Sequence, residues 1–156
     1  MAAKVEKDFM TIRNVLLILF LSIGCFACSD DDNQPKQLIP DVYVNEQINL
    51  TNIQYAPLRQ DGGYVYIQGG VRGIIVYRQS TNSYIAFERN CPYQPFDDCA
   101  LVSVDQSRLF MIDSCCKSQF DFSGAVIAGP ATLPLKRYST AITGSTGNFL
   151  YITTGR

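Results

Sequence analysis

Cysteine is the residue type in this sequence with the widest chemistry, because thiols bind metals, form disulfides and act as nucleophiles. Two cysteines lie near the N-terminus and four in the second half of the chain: Cys25, Cys28, Cys91, Cys99, Cys115 and Cys116. The chain contains no histidine. This removes Ser-His-Asp and Cys-His catalysis and the commonest nitrogen ligand of metals. No phosphate-binding loop or paired-carboxylate motif is present either, so we expect a protein that is not an enzyme.

The charge balance and the length limit the number of domains and the class of partner. The chain has 14 acidic and 13 basic residues, so no field of one sign attracts nucleic acid. Its 156 residues are enough for one domain with a sizeable core, but too few for two domains and a signal segment. We therefore expect one folded unit and no nucleic-acid partner. The composition does not identify a protein or small-molecule partner.

The first 28 residues match a secretory signal peptide. Lys4, Lys7 and Arg13 precede an uncharged apolar run at 15–23, which is the order of a basic n-region and a short h-region. The run is too short to span a bilayer comfortably. Met10 is an alternative start of translation that leads to the same mature protein.

Residues 24–32 resemble the end of a bacterial lipoprotein signal, in which a small residue precedes the cysteine that is acylated. Ala27 precedes Cys28, and a polar, acidic stretch follows it. Acylation at Cys25 would instead leave Phe26 and a second thiol at the mature terminus. We therefore expect Cys28 to be the lipid anchor, with Cys25 as the alternative. The resemblance implies a protein attached to a membrane outside the cytoplasm.

The acidic run at 29–32 also resembles the export signal of Bacteroidetes lipoproteins that are carried to the outer face of the outer membrane. A solvated spacer is the other interpretation of the same residues. The expected location is the cell envelope, at the outer membrane, with export placing the protein on the cell surface. Pro35 and Pro40 discourage regular structure. We expect a tether at 29–40 and a folded domain at 41–156.

The rest of the chain has the pattern of an all-β fold. Short runs of β-branched and aromatic residues alternate with clusters of turn-forming residues. No window after the signal has the apolar stripe of an amphipathic helix. Seven strands are predicted, at 64–67, 73–78, 84–88, 109–112, 125–128, 138–143 and 149–153. Their close spacing favours antiparallel hairpins in a sandwich or barrel.

The segment 84–138 resembles the cluster-binding region of Rieske iron–sulfur domains. Its closest stretch, Phe-Asp-Phe-Ser-Gly-Ala-Val-Ile-Ala-Gly-Pro-Ala at 120–131, is similar to the family's Phe-Asp strand, turn glycine and Gly-Pro-Ala loop. Cys-Pro-Tyr at 91–93 resembles the first ligand box, Cys-x-His. Asp-Ser-Cys-Cys at 113–116 resembles the second, Cys-x-x-His. The resemblance implies an antiparallel, Rieske-like β sandwich or barrel whose hairpin loops carry the two boxes.

Three of the four ligand positions differ from the family's pattern. In a Rieske centre two cysteines hold one iron and two histidines hold the other. Here Cys91 is kept, but Tyr93 and Cys116 stand at the histidine positions and Asp113 at the second cysteine position. An ordinary Rieske cluster is excluded by ligand identity, so no metal or cofactor is expected at these positions. A [2Fe–2S] cluster with atypical ligands is the alternative.

Four cysteines remain after removal of the signal, and an even number in an oxidising compartment favours disulfides. Many Rieske domains link their two ligand loops by a disulfide, and by position this bond joins Cys99 to Cys115. The resemblance also implies that Cys91 and Cys116 are close enough to bond. We therefore expect two disulfides, Cys99–Cys115 and Cys91–Cys116. A metal site formed by all four thiolates, for zinc or an iron–sulfur cluster, and a vicinal Cys115–Cys116 bond are the alternatives.

Two functions from different classes follow from these observations. The first is a membrane-anchored, non-enzymatic lipoprotein whose Rieske-like domain has lost its cluster and has a binding or scaffolding role. The second is electron transfer by a [2Fe–2S] cluster with atypical ligands. The two functions differ in whether the protein contains iron and inorganic sulfide.

Overall fold

The structure is a computed structural model that describes residues 39–144 and 147–155. In these residues the chain forms ten strands and a 3-10 helix, Ile53–Arg59. The strands are β1 (Asn45–Asn49), β2 (Tyr64–Ile67), β3 (Ile74–Ser80), β4 (Ser83–Glu88), β5 (Val102–Val104), β6 (Met111–Asp113), β7 (Gln119–Phe120), β8 (Val126–Ala128), β9 (Arg137–Thr143) and β10 (Phe149–Thr153). The predicted signal peptide, the lipid anchor at Cys28 or Cys25, and nearly all of the tether lie outside the described residues.

Two antiparallel sheets make up the domain. The larger sheet has six strands in the order β1-β10-β9-β4-β3-β2, and the smaller sheet has four in the order β5-β6-β7-β8. Every pairing between these strands is antiparallel. The expected all-β, antiparallel architecture is therefore confirmed, and it agrees with the Rieske-like fold that the resemblance implies.

Alternation along β3 and β4 sends neighbouring side chains into two different core clusters. Ile75 and Phe87 belong to a cluster that also contains residues of the smaller sheet, whereas Ile74 and Val76 belong to a cluster on the other face, with residues of β1 and β10. Successive side chains of a strand point to opposite faces of the sheet. Both faces of β3 are thus covered, which explains its uninterrupted run of buried apolar residues.

The structure corrects the predicted strands in three places. It adds β1, β5 and β7 to the seven that the sequence pattern predicts. β1 is an edge strand with one fully buried residue, Ile48, so its side chains carry little hydrophobic signal. β5 and β7 have only three and two residues, and a period-2 pattern needs about four residues to be detected.

The 3-10 helix Ile53–Arg59 was not predicted either. It contains Pro57 and buries one residue, Leu58, so it has no apolar stripe. In the part of the chain that the structure describes, no helix has the length and apolar character needed to cross a membrane.

Three connections next to the smaller sheet define the candidate site. The first loop is 89–101, between β4 and β5. The second loop is 114–118, between β6 and β7. The third loop is 129–136, between β8 and β9. The first and second loops carry the two boxes that resemble the Rieske ligand boxes, and the third loop contains the Gly-Pro-Ala sequence.

Candidate functional site

Three potential metal ligands converge where the first and second loops meet. One atom from each of Cys91, Asp113 and Cys116 lies within 4.8 Å of the corresponding atoms of the other two. The Sγ atoms of Cys91 and Cys116 are 3.8 Å apart, and Cys116 Sγ lies 3.3 Å from Asp113 Oδ2. Cys91 and Asp113 are buried, and Cys116 is partly buried. We call these three residues the thiol–carboxylate cluster.

Cys91 is placed by the start of the first loop, just after β4 ends. Its amide donates a hydrogen bond to the carbonyl of Ala100 at 3.2 Å, and an isolated bridge pairs Asn90 with Leu101. The side chain packs in the core cluster shared by the two sheets. The two ends of the loop, which leaves β4 of the larger sheet and enters β5 of the smaller sheet, are thus paired with each other, and this pairing holds Cys91 at the base of the loop.

Glu88, the last residue of β4, connects this loop base to the rest of the larger sheet. Its buried carboxylate accepts hydrogen bonds from the amides of Val71 (2.7 Å), Arg72 (2.9 Å) and Asn90 (3.0 Å). It also accepts one from the hydroxyl of Tyr138 at 2.7 Å. Burial and this hydrogen bond raise the pKa of the Tyr138 hydroxyl, so that it stays protonated. Glu88 therefore connects the start of the first loop, at Asn90, to the segment at Val71 and Arg72 and to Tyr138 of β9.

The second loop is a tight turn that aims Asp113 and Cys116 at Cys91. The amide of Lys117 donates to the carbonyl of Asp113 at 2.9 Å, and the amide of Asp113 donates to the carbonyl of Ser118 at 3.0 Å. The amide of Cys115 donates to Asp113 Oδ1 at 2.8 Å, so one oxygen of Asp113 stabilises the turn at the end of β6. Its second oxygen, Oδ2, is turned toward Cys116.

Ser118 is a site residue that the sequence analysis missed. Its amide donates to Cys116 Sγ at 3.4 Å, and its Oγ lies 3.0 Å from the same sulfur. Ser118 Oγ also accepts a hydrogen bond from the amide of Ala131 in the third loop at 3.0 Å. Its position two residues after Cys116 is visible in the sequence, but a contact with a residue 13 positions away is not. Ser118 thus links the thiol–carboxylate cluster to the third loop.

Gly129 allows the third loop to approach the second loop this closely. A Cβ atom at Gly129 would lie 2.5 Å from Ser118 Cα and 2.9 Å from the carbonyl oxygen of Lys117. Its φ of +94° also lies in the region that side chains rarely adopt. Only glycine fits here without movement of the backbone.

We expect Gly129→Ala to destabilise the domain by about 1–3 kcal/mol more than Gly62→Ala, because overpacking is added to backbone strain. Gly62 is a matched control, since its φ is +80° and a Cβ atom there would meet no atom within 4 Å. Urea unfolding of both variants measures the difference. Equal losses of unfolding free energy would show that the second and third loops separate at little cost.

Burial controls the protonation of Cys91. It raises the pKa of the Cys91 thiol far above its usual range, and a hydrogen bond with Asp113 and the charge of that carboxylate raise it further. A backbone hydrogen bond from Tyr93 acts in the opposite direction but does not offset them. Without a cation nearby, Cys91 is a neutral thiol at neutral pH and a poor nucleophile.

The predicted Cys99–Cys115 disulfide is confirmed. The bond joins the first loop to the second across 16 residues, with Cα atoms 5.5 Å apart, within the usual range for disulfides. It also excludes both the site with four thiolates and the vicinal Cys115–Cys116 bond, because Cys99 and Cys115 are bonded to each other.

The first loop is also held by Arg72, whose guanidinium donates to the carbonyls of Asp97 and Asp98 at 2.6 and 2.5 Å.

The structure differs from the sequence analysis at the second predicted disulfide. It brings Cys91 and Cys116 together, as expected, but both are free thiols. The Cys116 sulfur is occupied by contacts with Asp113 and Ser118, which hold it at 3.8 Å from Cys91 Sγ. Tyr93, at the position that resembles a ligand histidine of the first box, packs its ring beside the core, and its backbone forms a hydrogen bond with the Cys91 thiol.

The donor set does not fit a [2Fe–2S] cluster. Such a cluster needs two ligands on each of two irons, whereas the cluster of Cys91, Asp113 and Cys116 supplies three donor atoms. The other two sulfurs of the domain are in the disulfide. The geometry therefore agrees with the mismatch of ligand identity found in the sequence.

No protein family model matches the chain, and no curated protein matches its sequence.

Proposed function

We propose that this protein is a lipoprotein of the bacterial cell envelope whose Rieske-like β domain has lost its iron–sulfur cluster and has a binding or scaffolding role. The observation that carries the proposal is the number of donors between the first and second loops. A [2Fe–2S] cluster needs four ligands, whereas three donor atoms meet here within 4.8 Å of one another. The Cys99–Cys115 disulfide, a bond that many Rieske domains also have, joins the two loops independently of a cluster.

The lipid anchor in this proposal is Cys28, with the basic and apolar segments before it acting as the secretory signal. A disulfide in the domain supports a location outside the cytoplasm, because disulfides persist in oxidising compartments. The acidic run at 29–32 supports attachment at the outer membrane. If this run acts as an export signal, the domain lies on the cell surface. The direct partner of the protein is therefore the membrane, through the acyl chains.

Elemental analysis of the full-length protein, purified in detergent, tests the loss of the cluster. We expect no inorganic sulfide, iron well below one atom per chain, and no visible absorption bands of an iron–sulfur centre. The physical reason is that Cys91, Asp113 and Cys116 provide too few ligands for two irons. Two irons and two sulfides per chain would replace the proposal with electron transfer by a cluster with atypical ligands.

A further inference from the structure

We infer that Cys91, Asp113 and Cys116 form a binding site for one zinc-class divalent cation. The inference builds on the proposed absence of a [2Fe–2S] cluster, but it concerns a different chemistry, since a single ion needs no inorganic sulfide. It rests on the distances between the donor atoms, the burial of the carboxylate and the support that surrounding residues give to the donors.

Two of the three distances between donors match the edges of a tetrahedral coordination sphere. Zinc lies about 2.3 Å from thiolate sulfur and about 2.0 Å from carboxylate oxygen. Tetrahedral angles then place two sulfurs about 3.8 Å apart and a sulfur and an oxygen about 3.5 Å apart. The structure has 3.8 Å between the sulfurs of Cys91 and Cys116 and 3.3 Å between Cys116 Sγ and Asp113 Oδ2. The third distance, between Cys91 and Asp113, is within 4.8 Å.

The Asp113 carboxylate is buried, and most of its hydrogen-bond donors are weak ones. Buried charges are normally paired, fully hydrogen-bonded or bound to metals. The other buried acid near this site, Glu88, accepts four hydrogen bonds from amides and a hydroxyl. Asp113 accepts one from an amide, and its other neighbours are thiols, which are weak donors.

A cationic side chain does not compensate Asp113 within residues 39–144 and 147–155. The two ion pairs there join Arg78 to Asp61 and Lys136 to Asp41. Lys117, the nearest basic residue in sequence, donates its Nζ to the carbonyl of Ser114 at 2.6 Å. A divalent cation would supply the missing positive charge.

Neighbouring groups hold the donors in the orientation that a metal needs. The Cys115 amide binds Asp113 Oδ1, which leaves Oδ2 directed toward the sulfurs. The Ser118 amide donates to Cys116 Sγ, the type of support that orients metal ligands in known sites. The Cys99–Cys115 disulfide fixes the second loop against the first. The site is thus largely formed before a cation binds.

The donor types select the class of cation. Two thiolates disfavour magnesium and calcium, which prefer oxygen ligands, and a tetrahedral sulfur–oxygen set suits zinc. On binding, each thiol releases its proton to solvent and binds as a thiolate. Three protein ligands leave the fourth position to water or to an external ligand, as in open zinc sites.

Cobalt(II) and zinc(II) binding by the full-length protein, purified in detergent without chelators, tests the inference. We expect one metal per chain, with a thiolate-to-cobalt charge-transfer band and the strong visible bands of tetrahedral cobalt, which zinc abolishes. We expect Cys91→Ser, Cys116→Ser and Asp113→Asn each to weaken zinc binding by more than about 100-fold, because each removes a direct ligand whereas loss of a supporting residue costs 10- to 100-fold.

Two controls separate a lost ligand from a disturbed fold. Asp105→Asn is matched to Asp113→Asn, because Asp105 also accepts a hydrogen bond at 2.8 Å from the amide two residues later but lies at an exposed turn. The double variant Cys99→Ser, Cys115→Ser removes two sulfurs that are not donors, so it is expected to bind cobalt more weakly, because the disulfide fixes the second loop against the first, but with the same thiolate-to-cobalt band. Both are expected to keep the cobalt spectrum. Circular dichroism identifies any variant that fails to fold. If a ligand variant does not fold, the cobalt spectrum of the wild-type protein by itself tests whether thiolates bind the metal.

Three results would overturn the inference: less than one tightly bound cobalt or zinc per chain, a cobalt spectrum without thiolate charge transfer, or a Cys91–Cys116 disulfide in the protein as isolated. Each of these leaves the proposed function intact. Iron and sulfide in equal amounts would instead overturn the proposed function and the inference together.

Discussion

Glu88→Ala is expected to remove a large part of the stability of the domain. The buried carboxylate of Glu88 accepts hydrogen bonds from the amides of Val71, Arg72 and Asn90 and from the hydroxyl of Tyr138. Alanine leaves the donors of the buried residues Asn90 and Tyr138 without that partner, at a cost of about 1–3 kcal/mol for each. The part-buried amides of Val71 and Arg72 add less. The sum is a large fraction of the unfolding free energy of a typical domain, about 5–15 kcal/mol. Urea unfolding, followed by tyrosine fluorescence, measures the loss.

Glu46→Ala is the matched control for this variant. Glu46 is an exposed residue of the edge strand β1, so the same substitution is expected to change the unfolding free energy by no more than about 0.5 kcal/mol. If Glu88→Ala were as stable as Glu46→Ala, the carboxylate would not be what holds the first loop to the larger sheet. Gly70→Ala tests the same hydrogen bonds without removing the carboxylate, because a Cβ atom there would lie 2.6 Å from the Tyr138 hydroxyl. This substitution is therefore also expected to destabilise the domain.

The second large effect is expected at the lipid anchor. In cells grown with labelled palmitate, Cys28→Ala is expected to abolish lipid labelling and to release the protein from membranes, because the acyl chains are the only hydrophobic anchor proposed. One acyl chain gives marginal membrane binding, and stable attachment requires more than one. Loss of all the acyl chains therefore changes the location of the protein completely. Membrane fractionation and labelling measure the two effects separately.

Cys25→Ala is the control for the anchor, and it is expected to leave acylation and membrane attachment unchanged. Both cysteines lie in the same short stretch of sequence, so a general disturbance of the signal would affect both variants. Continued palmitate labelling of Cys28→Ala, with loss in Cys25→Ala, would move the anchor to Cys25.

Local sequence signals were sufficient for seven of the ten strands in the described part of the chain. The predicted strands at 64–67 and 149–153 coincide with β2 and β10, and the other five match strands to within two residues. Runs of β-branched and aromatic residues between turn residues carry this information without reference to the rest of the chain. The exceptions are β1, β5 and β7, which exist because neighbouring strands pair with them. Such pairing depends on contacts distant in sequence.

The candidate site was predicted in part. The positions of Cys91, Asp113 and Cys116 in the two boxes, and the Cys99–Cys115 bond, followed from the resemblance. The free state of Cys91 and Cys116 did not follow from it. Nor did the role of Ser118, which depends on contact with Ala131 in the third loop. Two sulfurs form a disulfide at about 2 Å, whereas the Sγ atoms of Cys91 and Cys116 are 3.8 Å apart, and sequence spacing does not resolve such a difference.

The amino-acid sequence by itself determined which chemistry is unavailable and which class of fold forms. A chain without histidine cannot hold an ordinary Rieske cluster in any fold, and its alternation of strand and turn residues is a local property. The tertiary structure alone decided how the remaining donors are used. Gly129 lets the third loop approach Ser118, and Ser118 in turn contacts the Cys116 sulfur. Packing thus set the distances among two thiols and a carboxylate, and on these distances the chemistry of the site depends.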